Sequence, residues 1–209
     1  MLDLVLPVEC GGCGAPGVRW CPACAAELQA KAAEPRVVTP RLDPGVPVLS
    51  LGRYAAARRQ AIVSVKEHGR ADLVRPLSLA VHTGLTQLLT WGLLDVPLTI
   101  VPAPTRWSAA RRRGGDPVTR VAEAAAGGLP GVTVTRALRL TGFARDSVGL
   151  SSADRQRNLA GRVRLRTTPG MPVLLLDDVV TTGATACASV AALQTSGVSV
   201  QAVLAIANA

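Results

Sequence analysis

Short apolar runs alternate along the chain with longer segments in which apolar residues recur at helical spacing. The short runs are rich in Val, Leu and Ile, which is typical of strands covered on both faces, as parallel sheets require. The longer segments have the period of helices that pack one face on such a sheet. Because strand and helix signals alternate, the pattern predicts an α/β fold with a mostly parallel sheet flanked by helices.

The boundaries of the elements follow from the same pattern. Strands are predicted at residues 46–52, 98–101, 132–136, 161–165, 173–176 and 198–206. Helices are predicted at residues 26–33, 54–67, 72–89, 116–126 and 185–195. Asp116 is expected to cap the fourth helix, with Pro117 at its first position. Residues 139–158 have no sustained period, and a loop of this length is typical of a lid or a disordered insert.

The residues after the run 173–176 carry the most specific chemical signal. Asp177 and Asp178 are expected at the carboxyl end of that strand, where open α/β sheets bind ligands, so they should face a crevice. The following residues are small or carry hydroxyls, and N–H groups at a helix start favour an anion, which predicts a phosphate loop. That loop consists of Thr181, Thr182, Gly183, Ala184 and Thr185. The alternative is a strand, a turn and a capped helix without a ligand, but adjacent carboxylates repel each other unless a ligand or cation offsets their charge.

A second predicted strand end carries groups suited to an anion. Strand 98–101 is followed by two prolines, which stiffen the loop, and then by Thr105 and Arg106. An arginine run at 111–113 comes shortly afterwards. On its own such a run is more typical of a solvated face. Beside a predicted anion site we interpret it as phosphate-binding, because a guanidinium group can bind two phosphate oxygens at once.

The N-terminal residues form a separate unit. Cys10 and Cys13 make one Cys-x-x-Cys pair, and Cys21 and Cys24 make another. Four thiolates at this spacing can surround one zinc ion tetrahedrally, and Trp20 is expected to pack on this unit. Because such a closed site has no open position for catalysis, we predict structural zinc. The alternative is a disulfide, which the reducing cytosol disfavours.

Length and composition narrow the organisation and the class of partner. The 209 residues are expected to form a zinc knuckle at 1–30, a linker at 31–45 and a larger domain at 46–209. The net charge of +9 comes almost wholly from arginine, which indicates an anionic partner. Aromatic residues make up only 2% of the chain, so a base-stacking platform for single-stranded nucleic acid is poorly supported. The absence of a basic leader and of a long apolar run predicts a cytoplasmic protein without membrane insertion.

Together these motifs resemble the ComF family of bacterial phosphoribosyltransferase-like proteins. The resemblance rests on the four cysteines, Tyr54…Lys66-x-x-Gly69, Val101-Pro-Ala-Pro104, Arg113-Gly114, Arg155-x-x-Asn158-Leu159 and the run from Asp177 to Thr185. It implies a type I phosphoribosyltransferase fold that binds 5-phosphoribosyl-1-diphosphate (PRPP) with magnesium. It also implies transfer of phosphoribose to a nitrogen acceptor.

The resemblance further implies roles for single residues. In the family the two acids bind the ribose 2′- and 3′-hydroxyls, and the loop wraps the 5-phosphate. Asp177 and Asp178 are therefore expected to be catalytic residues that hold ribose and magnesium, and the 181–185 loop to bind the PRPP phosphate. The diphosphate is assigned to Thr105, Arg106 and Lys66, with a solvated helix end as the alternative for Lys66.

Three functions stay open at this point. The first is a phosphoribosyl-transferring enzyme, the second a non-catalytic PRPP-binding module acting through protein partners, and the third a nucleic-acid accessory using zinc and arginine. Family members are associated with DNA uptake during natural competence, so the resemblance implies a competence-machinery protein or single-stranded DNA as a partner. The chain has Arg113-Gly-Gly-Asp-Pro117 where the family commonly has Arg-Gly-Phe-Asn-Gln, and Ser147 where it has glutamine. Both departures fall near the diphosphate and acceptor sides.

Overall fold

Both helices and strands occur along the described part of the chain. A computed structural model describes residues 8–29, 31, 34–105, 116–141, 162–170 and 172–209. Its helices are α1 (Pro22–Leu28), α2 (Ala56–Glu67), α3 (Val74–Thr90), α4 (Pro117–Ala126) and α5 (Ala184–Gln194). Its strands are β1 (Arg36–Val37), β2 (Val48–Ser50), β3 (Leu98–Pro102), β4 (Val132–Val134), β5 (Leu138–Leu140), β6 (Val163–Leu165), β7 (Val173–Val180) and β8 (Val200–Asn208). A single 3-10 turn, Ala71–Leu73, precedes α3.

A six-stranded sheet forms the centre of the fold. Its strand order is β1-β2-β8-β7-β3-β4, and each neighbouring pair is parallel except β1 and β2. Strands β7 and β8 lie in the middle and are buried along almost their whole length, which explains their continuous apolar sequence. Strands β5 and β6 pair with each other in a separate antiparallel sheet. The prediction of an α/β fold with a mostly parallel sheet flanked by helices is confirmed.

Alternate residues of β7 face opposite layers of the molecule. Leu174 and Leu176 belong to the larger core cluster, together with residues of α2, α3 and α4. Val173 and Leu175 belong to the second cluster, together with residues of α5, β5 and β6. Because successive side chains of a strand point to opposite faces, this one strand contributes to both cores. It therefore holds the residues at its carboxyl end in a fixed position.

Strand β7 is longer than the sequence pattern predicts. The strand predicted at 173–176 continues to Val180, so it includes both acids, Asp177 and Asp178. The reason is that its backbone keeps pairing with β8, as far as Val180 opposite Asn208. The prediction that the strand ends before the acids is wrong. Both side chains come from the last residues of the ladder rather than from a loop beyond it.

The predicted bounds of the first helix are also wrong. The helix predicted at 26–33 begins at Pro22, because the Cys21 side chain accepts the N–H of Cys24 and caps the helix there. Residues 36–37 lie inside the predicted linker but form the edge strand β1, which pairs with β2. The segment between the cysteines and the larger domain therefore contributes to the sheet.

The C-terminal half follows the prediction more closely. Helix α4 begins at Pro117 with Asp116 as its N-cap, as expected. Residues 139–140, predicted as the start of a long loop, belong to β5, and the rest of that loop from residue 142 lies outside the described residues. None of the described helices is long and apolar enough to cross a membrane.

Candidate functional site

The four N-terminal cysteines converge on one point. Their Sγ atoms all lie within 4.8 Å of one another, and the Sγ atoms of Cys13 and Cys21 are 3.7 Å apart. A tetrahedral zinc ion with Zn–S distances of about 2.3 Å would hold its sulfur ligands about 3.8 Å apart. The cysteines are therefore positioned to bind a metal ion, and their donor chemistry and spacing are consistent with zinc.

Backbone groups around the cysteines favour the thiolate form of Cys10. The Cys21 N–H donates to Cys10 Sγ at 3.3 Å, and the Cys24 N–H donates to Cys21 Sγ at 3.5 Å. Burial opposes ionisation of the Cys10 thiol, but hydrogen bonds from the backbone at Cys13, Cys21 and Gly12 lower its pKa to about 6. Burial and the neighbouring thiols raise the pKa of Cys24. A metal ion bound here would offset the negative charge of thiolate ligands and so favour their deprotonation.

The cysteine cluster is closely packed. A Cβ at Gly12 would lie 2.5 Å from Cys24 Sγ and 3.0 Å from the Trp20 ring, so only glycine fits there. Trp20 packs against the small core formed by Cys10, Cys24 and Ala57, as predicted. Ala57 belongs to α2, so Cys10 and Cys24 pack directly on a helix of the larger unit.

The acid pair, Asp177 and Asp178, lies near the carboxyl end of β7. The sequence predicts that both acids face a crevice, but each residue is only 8% exposed, so the pair is largely buried. Asp177 Oδ1 accepts the N–H of Asp178 at 2.9 Å, and Asp178 Oδ1 accepts the N–H of Val179 at 2.7 Å. Burial, and then the charge of Asp178, raise the pKa of Asp177 to about 8 against the opposing effect of the Lys66 ammonium. This environment therefore favours the protonated form of Asp177.

Lys66 supplies a cation that the two acids require. It lies in the last turn of α2, and its Nζ forms an ion pair with Asp178 Oδ2. Burial would lower the pKa of Lys66, but the charges of Asp178 and Asp177 outweigh it and raise the pKa. The sequence alone leaves open whether a ligand or a cation offsets the repulsion between the acids. The structure shows that a side chain of the protein already provides part of that offset.

The 181–185 loop directly follows β7 and leads into α5. Gly183 has φ of +86°, a left-handed conformation that glycine adopts without strain, and it is the N-cap residue of α5. Thr181 is exposed, whereas Gly183 is buried. The N–H of Ala184 donates to Thr182 Oγ1 at 3.4 Å, which gives the loop its turn. The loop thus ends at the N–H groups of a helix start, the feature that predicted phosphate binding.

Residues 40–42 lie against one side of this loop. The N–H of Leu42 donates to the carbonyl of Thr182 at 2.9 Å. A Cβ at Gly183 would lie 2.5 Å from the carbonyl oxygen of Leu42 and 3.0 Å from Pro40 Cβ. The loop is therefore held in place from outside the sheet, while Thr181 remains exposed to solvent.

The end of β3 lies beside the middle of β7, next to the residue that precedes the acid pair. Pro102 is opposite Leu176 in the parallel ladder, and the N–H of Ala103 donates to the carbonyl of Leu176 at 2.7 Å. Just beyond, Thr105 Oγ1 donates to Asp116 Oδ1 at 3.0 Å, so it is bonded to the N-cap of α4. The structure therefore brings Thr105, the acid pair and the 181–185 loop to one edge of the sheet, and Lys66 reaches the same edge through Asp178. Arg106 and the arginine run at 111–113 lie outside the described residues.

Two side chains of reactive types, His82 and Cys187, lie outside this site. His82 Nδ1 lies 2.8 Å from the carbonyl oxygen of Ala125 and so joins α3 to α4. Burial raises the pKa of the Cys187 thiol, which makes it a poor nucleophile.

Neither a scan of protein-family models nor a search of curated proteins finds a match to this chain. The chemistry of the site therefore rests on its own residues and geometry.

Proposed function

We propose that the chain is a ComF-like protein of the phosphoribosyltransferase type that binds PRPP with magnesium at the carboxyl edge of its sheet. The observation that carries the proposal is the sequence of features at the end of β7. Two acids on the central strand are followed by a loop of small and hydroxyl residues, and the loop ends at the start of α5. That order, at a carboxyl edge of a parallel sheet, suits a ribose followed by its 5-phosphate.

Each part of PRPP has a matching group at this edge. The 5-phosphate is assigned to the 181–185 loop, where N–H groups at the start of α5 and threonine hydroxyls can donate hydrogen bonds. The ribose hydroxyls are assigned to Asp177 and Asp178, whose carboxyl oxygens can accept hydrogen bonds from them. The diphosphate is assigned to Thr105 and Lys66, with Arg106 as a further candidate. Magnesium bound with PRPP would neutralise charge on the diphosphate as it leaves.

The transfer reaction would need little covalent chemistry from the protein. The bond between the ribose 1-carbon and the diphosphate oxygen breaks, that carbon develops positive charge, and a nitrogen lone pair forms the new bond. The acid pair would orient the ribose and favour the developing positive charge. Lys66 would favour the departing negative charge. Catalysis is then mostly positioning and electrostatic stabilisation.

We propose zinc as the metal of the cysteine cluster, in a structural role. All four sulfur atoms would be ligands, so the ion would have no position for a substrate. The contact of Cys10 and Cys24 with Ala57 of α2 supports a role in holding the N-terminal residues on the larger unit.

A non-catalytic function is the second candidate, because the acid pair is buried and already neutralised in part by Lys66. In that case the chain is a PRPP-binding module or a competence accessory that acts through a protein partner or single-stranded DNA. Its departures from the family pattern at 113–117 and Ser147 also favour this alternative. The two candidates share the PRPP site and differ in turnover.

Calorimetry and a product assay separate the two candidates. Binding of PRPP with magnesium is measured for the wild type and for Asp177→Asn, with Asp95→Asn, an exposed carboxylate elsewhere, as the matched control. Diphosphate release is then assayed with a panel of amines and bases as acceptors. Turnover supports the enzyme, and binding without turnover supports the module. No binding to the wild type removes both.

A further inference from the structure

Helix α2 joins the cysteine cluster to the acid pair. Its N-cap residue, Ala55, has no side chain that could accept a hydrogen bond. Glu27 of α1 takes over that role, because its Oε1 accepts the N–H of Ala57 at 3.1 Å. A carboxylate is well suited to this position, since the start of a helix carries partial positive charge. A residue from the cysteine unit therefore caps a helix of the larger unit.

The first turn of α2 also packs on the metal ligands. Ala57 is 4% exposed and forms a small core with Cys10 and Cys24. Helix α1, which carries Glu27, begins directly after Cys21 and contains Cys24. The positions of the Cys21 and Cys24 sulfur atoms and of the Glu27 carboxylate are therefore set by the same short helix.

Arg58 strengthens this junction. It is only 5% exposed, and its Nη1 donates to the carbonyl of Ile206 on β8 at 3.2 Å. Its Nη2 donates to the carbonyl of Leu28, the last residue of α1, at 3.5 Å and lies 3.8 Å from Glu34 Oε2. One buried guanidinium group thus ties α1, α2 and the central sheet together.

A second tie lies just beyond the far end of α2. Arg70 donates from Nη1 to the carbonyl of Glu9 and from Nη2 to the carbonyl of Arg19, both at 3.2 Å. Asp72 holds that guanidinium group through two hydrogen bonds of 2.9 and 2.7 Å. The residues around the cysteines therefore contact α2 at its first turn and the chain just after its last turn, and Lys66 lies between these two contacts.

Lys66 completes the connection. It lies in the last turn of α2, and its ion pair with Asp178 reaches the acid pair. A helix of this length is about 18 Å long and moves as a unit when it is capped and packed. A change in the orientation of α2 at Glu27 must therefore change the position of the Lys66 ammonium.

We propose that Glu27 is a positioning residue for the sugar-phosphate site: by capping α2 from the metal-binding unit, it makes the placement of Lys66 against the acid pair depend on the bound metal. The ligand in this inference is PRPP and so rests on the proposed function. The coupling itself concerns only this chain and its metal. Binding linkage then requires that an occupied PRPP site strengthen metal binding by the same coupling.

The test uses the full chain loaded with zinc and compares Glu27→Ala with Glu27→Gln. The glutamine keeps an oxygen that can accept the Ala57 N–H, whereas alanine removes it. Glu123→Ala is the matched control, since Glu123 is an exposed residue of α4 that pairs with the exposed Arg136. Three quantities are measured: zinc content, amide hydrogen exchange in peptides covering 56–67 and 173–180, and affinity for PRPP with magnesium.

Glu27→Ala is expected to keep its zinc, to exchange faster along α2 as far as residue 67, and to bind PRPP about threefold to tenfold more weakly. Glu27→Gln is expected to recover most of both effects, and Glu123→Ala to match the wild type. Removing zinc from the wild type with a chelator should speed exchange in the same peptides.

Unchanged exchange at 56–67 in Glu27→Ala and in the zinc-free wild type would overturn the coupling. Faster exchange with unchanged PRPP affinity would also overturn it, because the effect would then stop short of the site. If the wild type binds no PRPP, the proposed function fails but the coupling is still judged from exchange at 173–180 with and without zinc. Faster exchange there on zinc removal would support it, and no change would reject it.

Discussion

Asp177→Asn should make the ligand-free protein more stable, although it removes a residue assigned to the binding site. The buried carboxyl group has its pKa raised to about 8, whereas an aspartate in the unfolded chain titrates near 3.9. Between those values the folded chain holds a proton that the unfolded chain has lost. This proton-linked stability is complete below about pH 4 and is lost as the pH rises through about 8. Asparagine carries no charge and avoids this loss.

The size of the gain follows from the same two values. A difference of about four pKa units corresponds to about 5 kcal/mol above pH 8. The substituted asparagine would keep an oxygen to accept the N–H of Asp178, but its amide N–H groups would need acceptors in a buried position, at a cost of about 2 kcal/mol. We therefore expect a net gain of about 3 kcal/mol at pH 8.5, or roughly 6–12 °C in Tm for a chain of this size.

Urea unfolding and thermal melts of the zinc-loaded, PRPP-free protein at pH 5.5, 7.0 and 8.5 measure this gain. The difference between Asp177→Asn and the wild type should widen as the pH rises, while Asp95→Asn should show no such trend. A variant that is less stable than the wild type at every pH, or a difference that does not depend on pH, would refute the reasoning from burial.

Three further predictions concern Lys66, Gly183 and the cysteines. Lys66→Met should destabilise the fold by about 1–3 kcal/mol, because it removes the ammonium group from buried Asp178. In a double-mutant cycle, the added substitution Asp178→Asn should restore most of the lost stability, and additive losses would contradict the prediction. Gly183→Ala should lower the stability more than Gly197→Ala, since both glycines have positive φ but, of the two, only Gly183 has atoms close to the position of an added Cβ. Equal losses in urea unfolding would contradict this, because residues 40–42 would then move aside without a measurable loss of stability. Freshly purified protein should contain about one zinc per chain by elemental analysis, and Cys13→Ser should lower that content; less than half an equivalent in the wild type would count against the zinc site.

The chemistry at the end of β7 could be predicted from the sequence because its signal is local. An apolar run, two acids and a glycine-containing loop lie within one continuous stretch. The end of the strand could not be predicted, because the pattern of side chains does not reveal backbone pairing. The ladder with β8 continues to Val180 whether or not the residues are apolar.

The partners of the site residues could not be predicted, because they are distant in sequence. Nothing in the pattern around Lys66 indicates that its ammonium group reaches Asp178 rather than solvent. The role of Glu27 is hidden for another reason, since its carboxylate accepts a backbone N–H, and every residue except proline offers one. The cysteines could be predicted as a group because their spacing alone limits their distances.

The bond between Leu42 and Thr182 has a consequence for how the molecule can be divided experimentally. A shortened chain that starts at residue 46 would lose the cysteines and also residues 40–42, which contact the 181–185 loop. Weak sugar-phosphate binding by such a fragment could then result from the loss of the cysteines or from the loss of the contact with the loop. Point substitutions at the cysteines, with residues 40–42 left in place, keep them separate.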